Sequence, residues 1–146
     1  MEEQIRSNAE LVMKELRTLS GIDFDYNYES VEWLQGYIER LRNSGEFDSD
    51  DQRKRLISVF GSFLGECIVR CYGGTWVQRE GVWCVALSKG DDRNLAFPFA
   101  KVAKQFDNGV VDGISGFFRV IPIIFDGRLG SQVYESHGPW WKFWRK

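Results

Sequence analysis

The stretch from Asp50 to Gly74, DDQRKRLISVFGSFLGECIVRCYGG, decides the interpretation of the whole chain. Asp48, Ser49 or Asp50 can cap a helix at its start, and Gly73-Gly74 can end that helix in the left-handed conformation. Apolar residues recur at spacings of three and four, which predicts a helix over 50–72 with one wide apolar face: Leu56, Ile57, Phe60, Phe63, Leu64, Cys67, Ile68 and Cys71.

A second side of this helix also carries a pattern. Gly61, Gly65, Val69 and Tyr72 lie together on it. A glycine inside a helix costs up to ~1 kcal/mol relative to alanine, so two of them one turn apart need a compensating contact. We therefore expect another element to pack closely against Gly61 and Gly65, and the helix to be covered on both sides.

Two further helices are predicted before this one. The first spans 3–19, with Ile5, Ala9, Val12, Met13, Leu16 and Leu19 on one face, and ends at Ser20-Gly21. The second spans 31–42, with Ser30 as its N-cap. Between them lies a connector without Lys or Arg that alternates carboxylates and rings: Asp23, Phe24, Asp25, Tyr26, Tyr28, Glu29 and Glu32.

After Gly74 the pattern changes to strands. Residues 75–78 and 82–87 read as a hairpin around Glu80-Gly81, and 94–97 follows a turn at 89–92 as a third strand. A short helix over 99–106 comes next, and Asp112 can cap a further helix or extended run to Pro122. The order predicts one α+β domain over 1–138, in which three helices pack on a small antiparallel meander followed by one or two short helices.

Composition narrows the compartment and the partner class. The chain has 146 residues and a net charge of −2, so we expect no nucleic-acid partner. The first twenty residues lack the basic start and apolar run of a secretory signal, and no apolar run is long enough to span a bilayer. Together with three cysteines, an odd number, these features predict a cytoplasmic protein.

Catalytic chemistry has little support in this sequence. His137 is the single histidine, so a Ser-His or Cys-His pair has only one candidate base. Cys67 and Cys71 fall on an apolar helix face and are expected to pack there rather than to bind zinc with Cys84. We expect no enzyme activity, no cofactor and no metal. Glu66 borders the two covered sides and can serve either as an ion-pair partner of Arg70 or as a functional carboxylate.

Four short motifs carry a family resemblance: Gly61-Ser62-Phe63-Leu64-Gly65-Glu66-Cys67, Tyr72-Gly73-Gly74-Thr75-Trp76, Phe97-Pro98 and Asn108-Gly109. Over about residues 50–120 the chain resembles a bacterial family of small uncharacterised α+β domains with a Gly-Glu helix and a Gly-Gly-x-Trp motif. Some of these domains are similar to immunity proteins encoded beside secreted toxins. The resemblance implies a shared structural or binding patch that includes Glu66 and Trp76.

Two surfaces are candidates for binding. We predict a non-enzymatic protein-binding domain, an immunity-type inhibitor of a basic toxin domain, whose contact residues are Glu66, Trp76, Asp23, Asp25, Tyr26, Tyr28 and Glu29. The alternative is a peripheral membrane or membrane-complex protein that docks through the tail 139–146. The tail residues that would dock are Trp140, Trp141, Lys142, Phe143, Trp144 and Arg145. A third possibility is that exposed aromatic rings allow the chain to associate into a two-fold homodimer.

Overall fold

The computed structural model describes residues 1–46, 49–87 and 94–125. The elements within these ranges follow the predicted α+β order: α1 Glu2–Ser20, α2 Tyr28–Ser44, α3 Asp50–Tyr72, β1 Thr75–Arg79, β2 Val82–Ala86, β3 Leu95–Ala96, α4 Pro98–Asn108, a 3₁₀ turn Gly109–Asp112 and α5 Ile114–Phe125. The turn predicted at 89–92, His137 and the Trp-rich tail at 139–146 lie outside the described residues.

Helix α3 forms the centre of the core. Every residue from Phe60 to Ile68 is buried, so both sides of this segment are covered, as the sequence predicted. The Ser49 side chain caps the helix by accepting a hydrogen bond from the backbone N–H of Gln52. Gly73 ends it in the left-handed conformation, with φ of 78°.

The two glycines of α3 form the contact notch that their positions predicted. A Cβ atom on Gly61 would overlap the Phe99 side chain of α4. A Cβ atom on Gly65 would overlap the Trp76 ring of β1 and would lie 3.1 Å from Cγ of Pro98. Glycine is therefore required at these positions because α4 and the first strand pack directly against the α3 backbone.

The first two helices match their predicted spans with two corrections. Leu19, predicted on the apolar face of α1, is 58% exposed and lies in the last turn of that helix, so the buried face ends at Leu16. Helix α2 begins at Tyr28 rather than after Ser30, and its N-cap is Asn27. The Asn27 side chain accepts from the Ser30 backbone N–H at 2.9 Å, so Ser30 is a buried first-turn residue and not the cap.

The three strands form one antiparallel sheet in the order β1-β2-β3, which confirms the predicted meander. Arg79 pairs with Val82, so Glu80 and Gly81 alone make the hairpin turn. Both have positive φ, 53° and 78°, as a type I′ turn requires. In the next pairing Val85 lies opposite Ala96.

The C-terminal helices close the other side of the domain. Helix α4 begins with Pro98 at a position where no backbone donor is needed. Near its end the Phe106 carbonyl accepts from Arg42 Nε and Arg53 Nη2, both at 2.9 Å, which ties α4 to α2 and α3. Asp112 does not cap α5 as predicted, because it ends the 3₁₀ turn and pairs with Lys101 instead.

Helix α5 also differs from its prediction at the far end. Pro122 was expected to stop it, yet the helix continues to Phe125. Its apolar side faces the core through Phe117, Phe118 and Ile121, and this packing outweighs the backbone bond that proline removes. No helix in the described ranges is both long and apolar enough to cross a membrane.

We predict opposite stability changes for two glycine-to-alanine substitutions. Gly65→Ala should lower the free energy of unfolding by about 1–3 kcal/mol, because its methyl group would overlap the Trp76 ring. Gly36→Ala in α2 should raise it by about 0.5–1 kcal/mol, since nothing lies within 4 Å of the added Cβ. Urea denaturation of both variants checks this pair; equal changes would show that α3 is not closely approached at Gly65.

Candidate functional site

The acidic connector is fixed to the core by Phe24. This ring is fully buried and packs edge-on against Trp33 and tilted against Phe63, with centroid distances of 5.9 Å and 5.1 Å. The Phe24 carbonyl accepts two hydrogen bonds from the Arg17 guanidinium, at 3.1 Å and 2.9 Å. The connector is therefore anchored at its centre by the buried Phe24 ring and by Arg17 of α1.

Hydrogen bonds also hold the backbone on either side of Asp25. The Asp25 backbone N–H donates to Ser30 Oγ at 2.8 Å, and the Asp25 carboxylate accepts from the Tyr26 backbone N–H at 2.8 Å. Together with the Asn27 cap, these bonds set the entry into α2. The carboxylate-bearing residues Asp23, Asp25 and Glu29 stay exposed on this fixed backbone.

The two connector tyrosines face the core and are each covered by an arginine. Tyr26 stacks on Phe63 at 5.5 Å, and the Arg70 guanidinium lies 4.0 Å from the Tyr26 ring centroid. Tyr28 stacks on Phe118 at 6.5 Å, with the Arg119 guanidinium 5.5 Å from the Tyr28 ring. Burial raises the pKa of Tyr26 although Arg70 acts to lower it.

Glu66 links this surface to the sheet. Glu66 is only 3% exposed. One of its carboxylate oxygens accepts a hydrogen bond from Arg70 Nε at 3.1 Å, and the other accepts one from Trp76 Nε1 at 2.8 Å. A buried carboxylate is stable when its oxygens receive charge-assisted hydrogen bonds, and this one receives two. The contacts run from Trp76 through Glu66 and Arg70 to Tyr26.

The predicted site residues thus divide into groups. The fold brings together Tyr26, Glu66 and Trp76. Arg70 connects Glu66 to Tyr26, although the sequence predicted Arg70 only as an ion-pair partner of Glu66. Asp23, Asp25 and Glu29 are exposed along the connector, and Tyr28 lies over Phe118. We call Asp23, Asp25, Tyr26, Tyr28 and Glu29 the connector surface. Glu66 and Trp76 lie beneath it, so they can act on a partner only by positioning Arg70 and Tyr26.

Comparisons with protein-family models, with curated proteins and with solved structures found no match. The resemblance to immunity-like domains stays a prediction.

The charge around the connector is mixed rather than purely acidic. Its own residues supply no cation, but the fold brings Arg17 from α1, Arg70 from α3 and Arg119 from α5 against it. No sequence spacing links these three arginines to one another. Each contacts the connector through a carbonyl or a ring, so three guanidinium groups adjoin the segment that bears the exposed carboxylates.

The prediction that Cys71 is buried in the core is wrong. Cys71 was expected to be buried with Cys67, but it is exposed, and its Sγ donates to the Tyr26 carbonyl at 3.3 Å. It lies in the last turn of α3, where the apolar face meets the connector rather than another helix. Partial burial raises the pKa of Cys71, which disfavours the thiolate. Within the described ranges, no three His, Cys, Asp or Glu side chains are placed to hold a metal.

We predict that the buried carboxylate matters far more to stability than an exposed one in the same sequence relation. Glu66→Gln should lower the free energy of unfolding by about 1–3 kcal/mol, because Arg70 loses its charged acceptor within the protein. Glu2→Gln is the control, since its i,i+4 pair with Arg6 is about half exposed and should change stability by less than ~0.5 kcal/mol. Similar values for the two variants in chemical denaturation would contradict this interpretation.

Tyr72 gives a test in alkaline solution. Its hydroxyl donates to the Phe118 carbonyl at 3.0 Å, and burial raises its pKa to about 12. A raised pKa favours the protonated folded form, so this contribution is present below pH 10 and is lost as pH rises to about 12. Tyr72→Phe should therefore lose less stability over that range than the unsubstituted chain. Parallel pH profiles of the two proteins would contradict the assignment.

Proposed function

We propose that this chain is a non-enzymatic cytoplasmic domain that binds a basic protein through the connector surface. The observation that carries the proposal is that exposed carboxylates sit on a backbone that is anchored on both sides. Asp23 and Asp25 flank the buried Phe24, and Glu29 lies in the first turn of α2. A segment that served only for solubility would not need these anchors.

Preorganisation explains why such anchors favour binding. Ordering a mobile loop on association costs free energy for each side chain that is immobilised, and a connector that is already fixed avoids much of that cost. The hydrogen bonds at Phe24, Asp25 and Ser30 supply the rigidity before a partner arrives. A rigid scaffold that presents polar groups from a connecting segment is typical of binding sites.

The mixed charge supports selectivity. Carboxylates attract a basic partner, while Arg17 and Arg119 reject basic groups placed out of register with them. A surface of this kind suits one complementary partner better than any polycation. The finer proposal is that the partner is a basic toxin domain and that the chain inhibits it by covering its functional surface.

A pair of matched variants tests this proposal. In the first, Asp23→Asn, Asp25→Asn and Glu29→Gln are combined. In the control, Glu3→Gln, Glu15→Gln and Glu46→Gln remove the same formal charge from exposed positions elsewhere. Both are used with the full chain to capture proteins from the native host at two salt concentrations, followed by quantitative mass spectrometry.

We expect a basic protein that is retained by the full chain and the control triple but falls roughly tenfold with the connector triple. If the captured protein arrests growth when produced alone, co-production of the full chain should restore growth. Equal capture by both triples would contradict the connector proposal. Loss of capture only after truncation at Gly138 would instead move the binding site to the tail, as the membrane alternative requires.

A further inference from the structure

A pocket of about 430 Å³ lies where α4, the 3₁₀ turn and α5 meet. This volume falls within the range of small-molecule sites in proteins. Its polar lining includes Lys101, Ser115 and Gln35, of which the first two are buried. Val110 and Val111 also line the pocket and are 57% and 85% exposed, so they form its rim.

The Lys101 side chain is the unusual group in this pocket. It is only 3% exposed, and its Nζ lies 3.5 Å from the Asp112 carboxylate and 6.0 Å from the Phe117 ring centroid. Burial lowers the pKa of Lys101, although Asp112 acts to raise it. A buried ammonium at a pocket wall is a strong donor to an anion even beside its pairing with Asp112, because the low surrounding dielectric strengthens charge-assisted hydrogen bonds.

Gln35 provides a second oriented group. Its side-chain oxygen accepts from the Ser115 backbone N–H at 3.0 Å and from Ser115 Oγ at 2.9 Å. Because the oxygen is engaged by Ser115, the amide nitrogen is the end of Gln35 that can donate to a ligand. The same residue is tied to α4, since Gln105 Nε2 donates to the Gln35 carbonyl at 2.9 Å. The polar part of the pocket is therefore preformed.

The rest of the lining selects the ligand class. Phe117 and Val120 give the lining an apolar part that Val110 and Val111 extend at the rim, which suits a hydrocarbon chain. Asp112 keeps a negative charge beside Lys101, and its own pKa is lowered, first by the amide of Asn108. That charge opposes a doubly charged anion such as phosphate more strongly than a singly charged one.

We propose that this pocket binds a small monocarboxylate with an apolar chain. The carboxylate lies beside Lys101 and accepts from it and from Gln35, and the chain lies along Val110, Val111 and Val120. The proposal goes beyond partner docking and does not depend on it, because no residue of the connector surface lines this pocket.

Isothermal titration calorimetry of the full chain tests the ligand class. The probes are octanoate, butyrate, 1-octanol and inorganic phosphate. We expect saturable binding of octanoate, with butyrate, 1-octanol and phosphate each at least about tenfold weaker. Butyrate has too short an apolar chain, 1-octanol has no charge, and phosphate has no apolar chain and carries more than one negative charge. No saturable binding of octanoate, or phosphate binding at least as tight, would overturn the proposal.

Variants then locate the site. Lys101→Met keeps the unbranched stem of the side chain, one atom shorter, and removes its charge, so octanoate affinity should fall at least roughly tenfold. Lys104→Met, one turn along α4, is the matched control and should change affinity by less than about threefold. If Lys101→Met does not fold, Val111→Ser decides, because this exposed rim residue cannot unfold the core. Unchanged affinity in Val111→Ser would place octanoate elsewhere and overturn the proposal.

Discussion

The close approach of neighbouring elements to one buried segment of α3, residues 60–68, is the constraint on which the rest of the structure depends. A helix can be covered on both sides only where its surface leaves room, and Gly61 and Gly65 provide that room. Through them α4 and β1 reach the α3 backbone, while Phe63 on the same segment receives the connector rings. One stretch of sequence therefore positions the sheet, the C-terminal helices and the candidate binding surface.

The same segment explains how buried groups shape an exposed surface. Glu66 is inaccessible, yet it holds Arg70, and Arg70 in turn covers Tyr26. On the side of the sheet, Trp76 donates a hydrogen bond to Glu66 and so extends this series of contacts to β1. A ring whose neighbours are fixed in this way loses little conformational freedom when a partner binds, so the cost of ordering is met during folding. The Glu66–Arg70 pair thus connects the core to the proposed binding surface.

Features set by local periodicity could be predicted from the sequence. The apolar faces of α1 and α3, the hairpin at Glu80-Gly81 and the notch at Gly61 and Gly65 all follow from spacing and from the properties of glycine. The sequence did not determine which of several nearby polar residues caps a helix. Asn27 rather than Ser30 caps α2, because the Ser30 hydroxyl accepts a hydrogen bond from the Asp25 backbone N–H instead.

Contacts between residues distant in sequence were not accessible in the same way. Arg17, Arg70 and Arg119 reach the connector from three helices, and no spacing in the sequence relates them. The pocket at Lys101 was missed for the same reason, since Gln35 and Ser115 meet only after α2 packs against α5. The available signal was Lys101 among the apolar residues of 99–106, which is ambiguous in sequence because Lys104 lies in the same stretch and lysines usually extend into solvent.

The central claim is that the acidic connector is rigid because α3 and Arg17 anchor it. Backbone ¹⁵N relaxation of residues 22–27 tests this most directly. We expect order parameters of about 0.85, equal to those of α3, as is usual for a rigid backbone. Values below about 0.6 over the connector, with α3 remaining rigid, would contradict it, because the exposed carboxylates would then sit on a mobile loop.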